Sequence, residues 1–159
     1  MDYYNHVSKG YNELHGEEQL SKLAIIKNNI KLDKNTRLLD VGCGSGISSG
    51  FGCFVVGIDP SIGLLRQNSS NKKVLGIAES LPFRNDSFDY VISVTSAHNF
   101  ADIEKSISEM KRVGRNNFVF SVLKKSGKFG FIRGLILKSF KVGKVIDEGK
   151  DAVFFCKKP

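Results

Sequence analysis

A glycine-rich turn that directly follows a short apolar segment is the feature that most limits how this chain can fold. The apolar segment covers residues 36–41, and the sequence LDVGCGSG at residues 39–46 carries it into the turn. Glycine adopts backbone conformations that other residues avoid, and it lets a ligand approach the main chain closely. A structural loop needs one or two glycines, so three at alternate positions after an acid favour a ligand-binding turn at the end of a buried strand.

The remaining sequence alternates predicted strands with predicted helices, which is typical of an α/β fold. Apolar runs predict strands at residues 36–41, 53–58, 73–77, 88–94 and 117–123. Helical periodicity predicts helices at residues 17–30, 62–67, 101–112 and 131–140, with only a brief helical turn between the first two strands. Residues 141–156 predict a hairpin. We therefore predict a Rossmann-like, doubly wound, mostly parallel sheet with an antiparallel C-terminal hairpin strand and helices on both faces.

The 159 residues suit one domain, with an N-terminal cap and helix at residues 1–31 and a Rossmann-like core at residues 36–159. Every apolar run is too short or too charged to span a bilayer, and the N-terminal segment lacks the apolar stretch of a signal peptide. We therefore expect a cytoplasmic protein without a membrane segment. The three cysteines are odd in number and lack paired ligand spacing, so neither a disulfide framework nor a metal site is predicted.

The formal charge of +8 is concentrated in one part of the sequence. Lysines and arginines balance the acids up to residue 100, so the whole excess comes from residues 101–159. A basic segment attracts anionic partners such as nucleic acid, phosphorylated metabolites or acidic protein surfaces. An ordinary solvated face explains the same charge, and both interpretations stay open.

Asp59 ends the second predicted strand and is a further candidate for ligand binding. A carboxylate at this place accepts hydrogen bonds from ribose hydroxyls in nucleotide-binding sheets. Its alternative role is to cap the following helix. Ser61 can provide that cap instead, which favours a binding role for Asp59.

The same elements occur in NAD-dependent dehydrogenases, whose fingerprint is G-x-G-x-x-G/A. Counted from Gly42 and Gly44, the last position of that fingerprint is Ile47. Counted from Gly44 and Gly46, it is Ser49. The acid that precedes the glycines also has no part in the fingerprint, so the spacing argues against NAD.

Three ordered segments are similar to those of a known family: LDVGCGSG at residues 39–46, VVGIDPS at residues 55–61 and AESLPFRNDSFDYVISV at residues 78–94. With them, the chain resembles the class I S-adenosylmethionine-dependent methyltransferases, especially the type-11 group related to ubiquinone and menaquinone biosynthesis enzymes. The segment YNELHG at residues 11–16 and the terminal strand pair also fit, so the resemblance covers nearly the whole chain. It is specific for the fold and for the cofactor, S-adenosylmethionine, and leaves the methyl acceptor open.

The resemblance implies that Asp40 and the turn at residues 42–46 hold the methionine end of the cofactor. Residues 93–95 would line its sulfonium side, and Tyr11 would close the pocket from above. The full set of implied cofactor-binding residues is Tyr11, Asp40, Gly42, Cys43, Gly44, Gly46, Asp59, Pro60, Ile62, Ala78, Glu79, Ser93, Val94 and Thr95.

For the nucleoside end of the cofactor, the resemblance implies that Asp59 binds the ribose diol and that Ile62 lies near the adenine. Ala78 and Glu79 would contact the adenine edge. Relatives often carry an aspartate where this chain has Ile77, which removes a polar contact with the adenine amino group. The connection between the first two strands is also short, near the limit of about a dozen residues for a parallel crossover.

His98, just beyond the fourth predicted strand, is the candidate catalytic residue. The sulfonium already activates its methyl group, so alignment of the acceptor and exclusion of water supply much of the catalysis. An acceptor atom that carries a proton gains from a general base, and a histidine at this place can serve. The alternative is that His98 caps the next helix or lies in the loop wall.

Three functions stay open. The first is a methyltransferase with an unidentified acceptor, and the second is a non-catalytic cofactor-binding or partner-binding subunit, which the short connection and Ile77 favour. The third is an RNA-binding module built on the basic C-terminal part. The positive charge favours an acceptor that is anionic or macromolecular, such as RNA or protein. A basic rim on the acceptor side is predicted from Arg112, Arg115, Lys124, Lys125, Lys128 and Arg133.

Overall fold

The computed structural model describes the backbone of residues 8–159 and the side chains of residues 16–159. The helices are α1 (Ser8–Asn29), α2 (Ile62–Gln67), α3 (Ile103–Val113) and α4 (Phe129–Ser139). The strands are β1 (Arg37–Val41), β2 (Phe54–Asp59), β3 (Lys73–Leu75), β4 (Phe88–Val94), β5 (Gly114–Leu123), β6 (Lys141–Asp147) and β7 (Asp151–Lys157). Short 3-10 helices cover Ile47–Phe51 and Ala97–Asn99. None of the helices from Ser8 onward is long and apolar enough to cross a membrane.

These strands form one seven-stranded sheet in the order β3-β2-β1-β4-β5-β7-β6. Strands β1 to β5 pair in parallel, and β7 pairs antiparallel with both β5 and β6. The predicted fold class is confirmed, and β7 is the antiparallel strand of the hairpin. The strand order reverses between β1 and β4, and ligands of such sheets bind in the crevice beyond the carboxyl ends at this point. We call this side of the sheet the carboxyl edge and the opposite side the amino edge.

Helices cover both faces of the sheet, as the sequence predicts. On one face, Met110 of α3 and Ile136 of α4 are fully buried in an apolar cluster that includes Phe120 of β5. On the other face, Ile26 of α1 is fully buried in a second cluster with Val119 of β5. Burial of a side chain of this size contributes about 1.5–3 kcal/mol, so the two clusters fix the helices against the sheet.

Several element boundaries differ from the predicted ones. Helix α1 begins at Ser8 instead of residue 17, because Gly10 and Gly16 interrupt the apolar periodicity without ending the helix. Strand β5 begins at Gly114 instead of residue 117, since its first residues are polar and hide the strand pattern. Helix α4 begins at Phe129, two positions earlier than its apolar spacing predicts.

The connection from β1 to β2, residues 42–53, contains a 3-10 helix and no α-helix, which confirms the predicted brief helical turn. Its Phe51 is buried in the same apolar cluster as α1. The long helix α1 therefore shares the cover of this face with the short turn, and it reaches the carboxyl edge beside the glycine turn.

Candidate functional site

The glycine turn lies at the carboxyl edge, between the ends of β1 and β2. The amides of Gly42 and Cys43 both donate to the carbonyl of Ile58, at 2.8 and 3.1 Å. Gly42 and Gly46 have φ angles of +83° and +86°, which are strained for other residues. A Cβ on Gly46 would lie 2.3 Å from the Asn68 side chain. Both glycines are therefore required by the backbone conformation and by close packing, since a Cβ on Gly42 would lie 2.6 Å from the Ser96 side chain.

Asp40 lies directly below this turn and is only 4% exposed. One carboxylate oxygen, Oδ2, accepts a short hydrogen bond from the hydroxyl of Ser48. The other, Oδ1, has no hydrogen-bond partner within the described part of the chain. Burial raises the pKa of Asp40 to about 6, the Ser48 hydrogen bond opposes this rise, and the nearby charge of Asp59 adds to it.

A small cavity opens beside Asp40. Its walls include Gly44 of the turn, Val94 at the end of β4, and Gln19 and Leu23 of α1. A buried carboxylate oxygen without a partner is costly unless a cation or a donor reaches it. The cavity therefore suits a ligand group that carries positive charge, such as an amino group.

Asp59 ends β2 on the other side of the turn. Its Oδ2 accepts from the amide of Gly44 at 3.0 Å, and its Oδ1 accepts from the amide of Ser61 at 2.8 Å. Each carboxylate oxygen has a second lone pair, so both can still accept a ligand hydroxyl. Ser61, not Asp59, is the N-cap of α2, since its Oγ accepts from the amide of Leu64. Burial raises the pKa of Asp59, and both amide hydrogen bonds oppose that rise.

Apolar side chains lie open beside Asp59. Ile62 starts α2 and is 41% exposed, and Ile77 follows β3 and is 42% exposed. Ala78 is buried in the core, and the carboxylate of Glu79 accepts from the amide of Asp102 at 3.1 Å. Glu79 thus holds the segment before α3, while the two isoleucines offer an apolar surface for a flat ring.

Hydrogen bonds join the segment at the end of β4 to the end of β1. Ser96 Oγ donates to the carbonyl of Val41 at 3.0 Å, and Ser93 Oγ lies 2.8 Å from Ser96 Oγ. Ser93 is fully buried, Val94 lines the cavity, and Thr95 has a φ of +52°. The structure thus places Val94 in the wall of the cavity beside Asp40, with Ser93 and Thr95 as its neighbours along the chain.

A buried ion pair, which the sequence analysis missed, joins α1 to the carboxyl edge. Lys22 Nζ lies 3.2 Å from Asp151 Oδ1, with 2% and 0% of the side chains exposed. Lys22 also donates to Thr95 Oγ1 at 2.9 Å. The hydroxyls of Thr95 and Ser121 both donate to Asp151 Oδ2 at 2.7 Å. These four residues, which we call the Lys22 network, hold α1 over the cavity.

His98 lies in the 3-10 helix after β4 and is half-buried. Its Nδ1 is buried and has no hydrogen-bond partner within the described residues, while its carbonyl accepts from Lys128 Nζ at 3.0 Å. Burial lowers the pKa of His98, Asp151 opposes this, and the charges of Lys128 and Lys22 lower it further. Asp102 caps α3, so the capping alternative for His98 is wrong.

Two residues of the predicted basic rim lie at the opposite edge of the sheet from the candidate site. Arg112 pairs with Glu109 and donates to the carbonyl of Phe83, and Arg115 pairs with Asp89. Both arginines lie at the amino edge, because α3 runs antiparallel to the strands and returns the chain there. The interpretation of Arg112 and Arg115 as acceptor-side residues is therefore wrong.

Two predicted residues, Tyr11 and Cys43, and two residues that the sequence analysis missed remain to be placed. The side chain of Tyr11 lies outside the described residues, so its predicted role is not assessed. Cys43 packs against Gly57, and burial raises the pKa of its thiol, so it stays protonated. The sequence analysis missed Ser48 and Asn68, whose amide Nδ2 donates to the carbonyl of Gly44 at 3.4 Å.

The comparison with protein families agrees with this geometry. Residues 39–129 match the family model described as a methyltransferase domain, of type 11. The chain belongs to this methyltransferase family. The match begins within β1 and includes the glycine turn, Asp59 and the end of β4. The resemblance stated from the sequence is thereby confirmed.

Individual relatives of this methyltransferase-domain chain are longer than it is. An uncharacterized protein of Methanocaldococcus jannaschii is 31% identical over 147 residues, which cover 88% of this chain and 58% of that protein. The uncharacterized methyltransferase YcgJ of Bacillus subtilis is 33% identical over 106 residues, which cover 58% of this chain and 38% of YcgJ. The chain thus spans less than two thirds of the length of these curated relatives.

A solved structure matches the whole described fold. A methyltransferase of Thermotoga maritima superimposes with a TM-score of 0.81 at 18% identity, and the match covers 98% of each chain. At this identity the likeness concerns the fold alone. The arrangement of sheet and helices is therefore that of a methyltransferase domain.

Proposed function

We propose that this chain binds S-adenosylmethionine at the carboxyl edge and transfers its methyl group to an acceptor. The observation that carries the proposal is the buried Oδ1 of Asp40 beside the cavity, which has no hydrogen-bond partner among residues 16–159, together with Asp59 on the next strand. The cofactor has an amino group at its methionine end and a hydroxyl pair on its ribose. A carboxylate matches the amino group in charge, and a carboxylate accepts the hydrogen bonds that the hydroxyl pair donates.

The residues of the chain bind and orient the cofactor. Asp40 would hold the amino group, Asp59 would accept the ribose hydroxyls, and Ile62 and Ile77 would flank the adenine. When bound, S-adenosylmethionine supplies the electrophilic methyl group. Gln19 of helix α1 lines the cavity, so α1 would cover the methionine end of the cofactor and exclude water there.

The affinity for S-adenosylmethionine should depend on pH through Asp40. With a pKa of about 6, Asp40 is mostly ionised at pH 7 and mostly protonated at pH 5. An amino group binds the ionised form, so the dissociation constant should rise roughly tenfold between pH 7 and pH 5. Titration calorimetry at several pH values measures this change.

Asp40→Asn is the matched control for the pH effect. This variant keeps a side chain of the same shape but no ionisable group, so it should bind weakly with a much flatter pH dependence. A wild-type affinity for S-adenosylmethionine that stays constant between pH 5 and pH 7 would contradict the proposal that Asp40 binds the amino group.

The raised pKa of Asp40 also affects folding. The folded protein binds this proton more tightly than the unfolded chain does, so the free protein loses stability as the pH rises from about 4 to about 6.

His98 is proposed as the general base for an acceptor that loses a proton. The position after β4 and the buried Nδ1, which has no partner in the described part of the chain, support this role, and burial lowers the pKa of His98, which favours the neutral imidazole. We expect an imidazole titration by NMR with a midpoint below 6.5, the ordinary value. A midpoint above 6.5 would leave a larger protonated share at neutral pH and contradict the assignment.

The acceptor is proposed to be anionic or macromolecular. Lys124 pairs with Asp147, but Lys125 and Arg133 are exposed near the carboxyl end of β5. A relative from Dictyostelium discoideum, named as an 18S rRNA (guanine-N(7))-methyltransferase, is 33% identical over 102 residues. Transfer of labelled methyl groups to RNA, to protein and to small molecules, assayed separately, distinguishes the acceptor classes.

A further inference from the structure

A second groove opens far from the candidate cofactor site, on the α1 face of the sheet beyond the end of α1. It has a volume of about 460 Å³. Lys141 begins β6 and Lys157 ends the antiparallel β7, so the groove lies at the amino edge. This volume falls within the range of about 300–1,000 Å³ that is typical of ligand sites. We call it the basic groove.

The strand register places one row of side chains along its floor. Tyr90 of β4 pairs with Asn117 of β5, Asn117 pairs with Lys157 of β7, and Lys157 pairs with Lys141 of β6. Neighbouring strands are about 4.8 Å apart, so this row extends for roughly 14 Å across the sheet. An aromatic ring therefore lies at one end of the row and two lysines at the other.

A β-bulge adds another lysine to the same face. The register between β6 and β7 shifts between Val142 and Lys144, so Lys144 pairs with Phe155. Regular alternation would send Lys141 and Lys144 to opposite faces, whereas a bulge re-aims one of them. Both line the groove, and Lys144 Nζ reaches Asn29 Oδ1 of α1 at 2.9 Å.

The lysines of the groove are not neutralised within the described residues. Lys31, Lys141 and Lys157 are exposed, and none of them forms an ion pair with a described carboxylate. Like charges directly opposite each other on antiparallel strands are destabilising, so the Lys141 and Lys157 pair does not serve folding. The charge is instead available for an anionic ligand.

We propose that the basic groove binds single-stranded nucleic acid. Proteins that bind single strands combine cations along the backbone path with aromatic rings on which bases stack. Here Tyr90 and Phe155 are half-buried groove residues, and Lys31 follows α1 with its amide donating to Tyr90 Oη at 3.4 Å. The basic groove thus carries Lys141 and Lys157 at one end and Tyr90, next to Lys31, at the other, a composition that a duplex or a flat lipid surface does not need.

Fluorescence anisotropy with a labelled oligouridylate of about twelve nucleotides tests the proposal. The double variant Lys141→Gln/Lys157→Gln should bind the oligouridylate at least tenfold more weakly. Its slope of log K against log salt concentration should be smaller in magnitude by about 1.4. The matched control, Lys105→Gln with Lys138→Gln, removes the same charge from α3 and α4 on the other face and should change binding less than about threefold. Tyr90→Leu should weaken binding at least fivefold, whereas Tyr90→Phe keeps the ring and should bind like the wild type.

The variant with both groove lysines replaced should stay folded, because removing two opposed like charges relieves repulsion. All groove variants should bind S-adenosylmethionine normally, so the inference does not depend on the proposed function. Single-stranded DNA of equal length should bind, and duplex RNA should bind more weakly. The proposal would be overturned if the groove and control lysine pairs lost equal affinity for the oligouridylate, or if the wild type bound it without a salt dependence. It would also be overturned if duplex RNA bound equally well or if polyglutamate bound more tightly.

Discussion

Replacing Lys22 with methionine is expected to lower the free energy of unfolding by about 3–5 kcal/mol, because it leaves the Asp151 carboxylate buried without its cation. Both side chains are almost excluded from solvent. The hydroxyls of Thr95 and Ser121 still donate to one carboxylate oxygen, but they cannot supply a compensating charge. Domains are commonly stable by only about 5–15 kcal/mol, so this loss is a large fraction of the total.

Urea unfolding followed by circular dichroism measures this effect. Lys27→Met is the matched control, since Lys27 is an exposed lysine on the same helix and its loss should change stability by less than about 0.5 kcal/mol. Lys22→Met combined with Asp151→Leu removes both charges and should recover part of the loss. If Lys22→Met were no more destabilising than Lys27→Met, the ion pair would not stabilise the docking of α1.

The glycine turn and its two acids were predictable from sequence because their signal is local. The positive φ angles of Gly42 and Gly46 demand glycine, and Asp40 and Asp59 each lie at the end of an apolar strand. The alternation of strands and helices predicted the parallel sheet, and the lack of a helix between the last two strands predicted the antiparallel hairpin. What the sequence did not reveal at Asp40 is the carboxylate oxygen that lacks a partner among the described residues, since that depends on the packing of α1 and Ser48.

The Lys22 network was not predictable, because its members lie far apart in sequence. Lys22 and Thr95 are separated by 73 positions, and Thr95 and Asp151 by 56. A lysine beside apolar positions of a helix usually reaches solvent, and only the docked position of α1 buries this one. The error at Arg112 has a related cause, since charge counting along the chain does not say at which edge of the sheet a helix ends.

Replacing Asp59 with alanine is expected to weaken S-adenosylmethionine binding by about a hundredfold or more. Each hydrogen bond from a ribose hydroxyl to this carboxylate contributes on the order of 1.5–3 kcal/mol, and two are expected. Asp59 also accepts from the amides of Gly44 and Ser61, so alanine leaves both donors without this acceptor. Asp59→Asn, which keeps an acceptor oxygen in the same place, should lose less affinity than alanine.

Calorimetric titration of S-adenosylmethionine into the wild type and into folded Asp59→Ala tests the cofactor site most directly. NAD, titrated in parallel, is the control ligand, because the glycine spacing does not fit its fingerprint. We predict saturable binding of S-adenosylmethionine by the wild type, at least hundredfold weaker binding by Asp59→Ala, and far weaker binding of NAD. Equal dissociation constants for wild type and variant, or tighter binding of NAD than of S-adenosylmethionine, would contradict the assignment of this site.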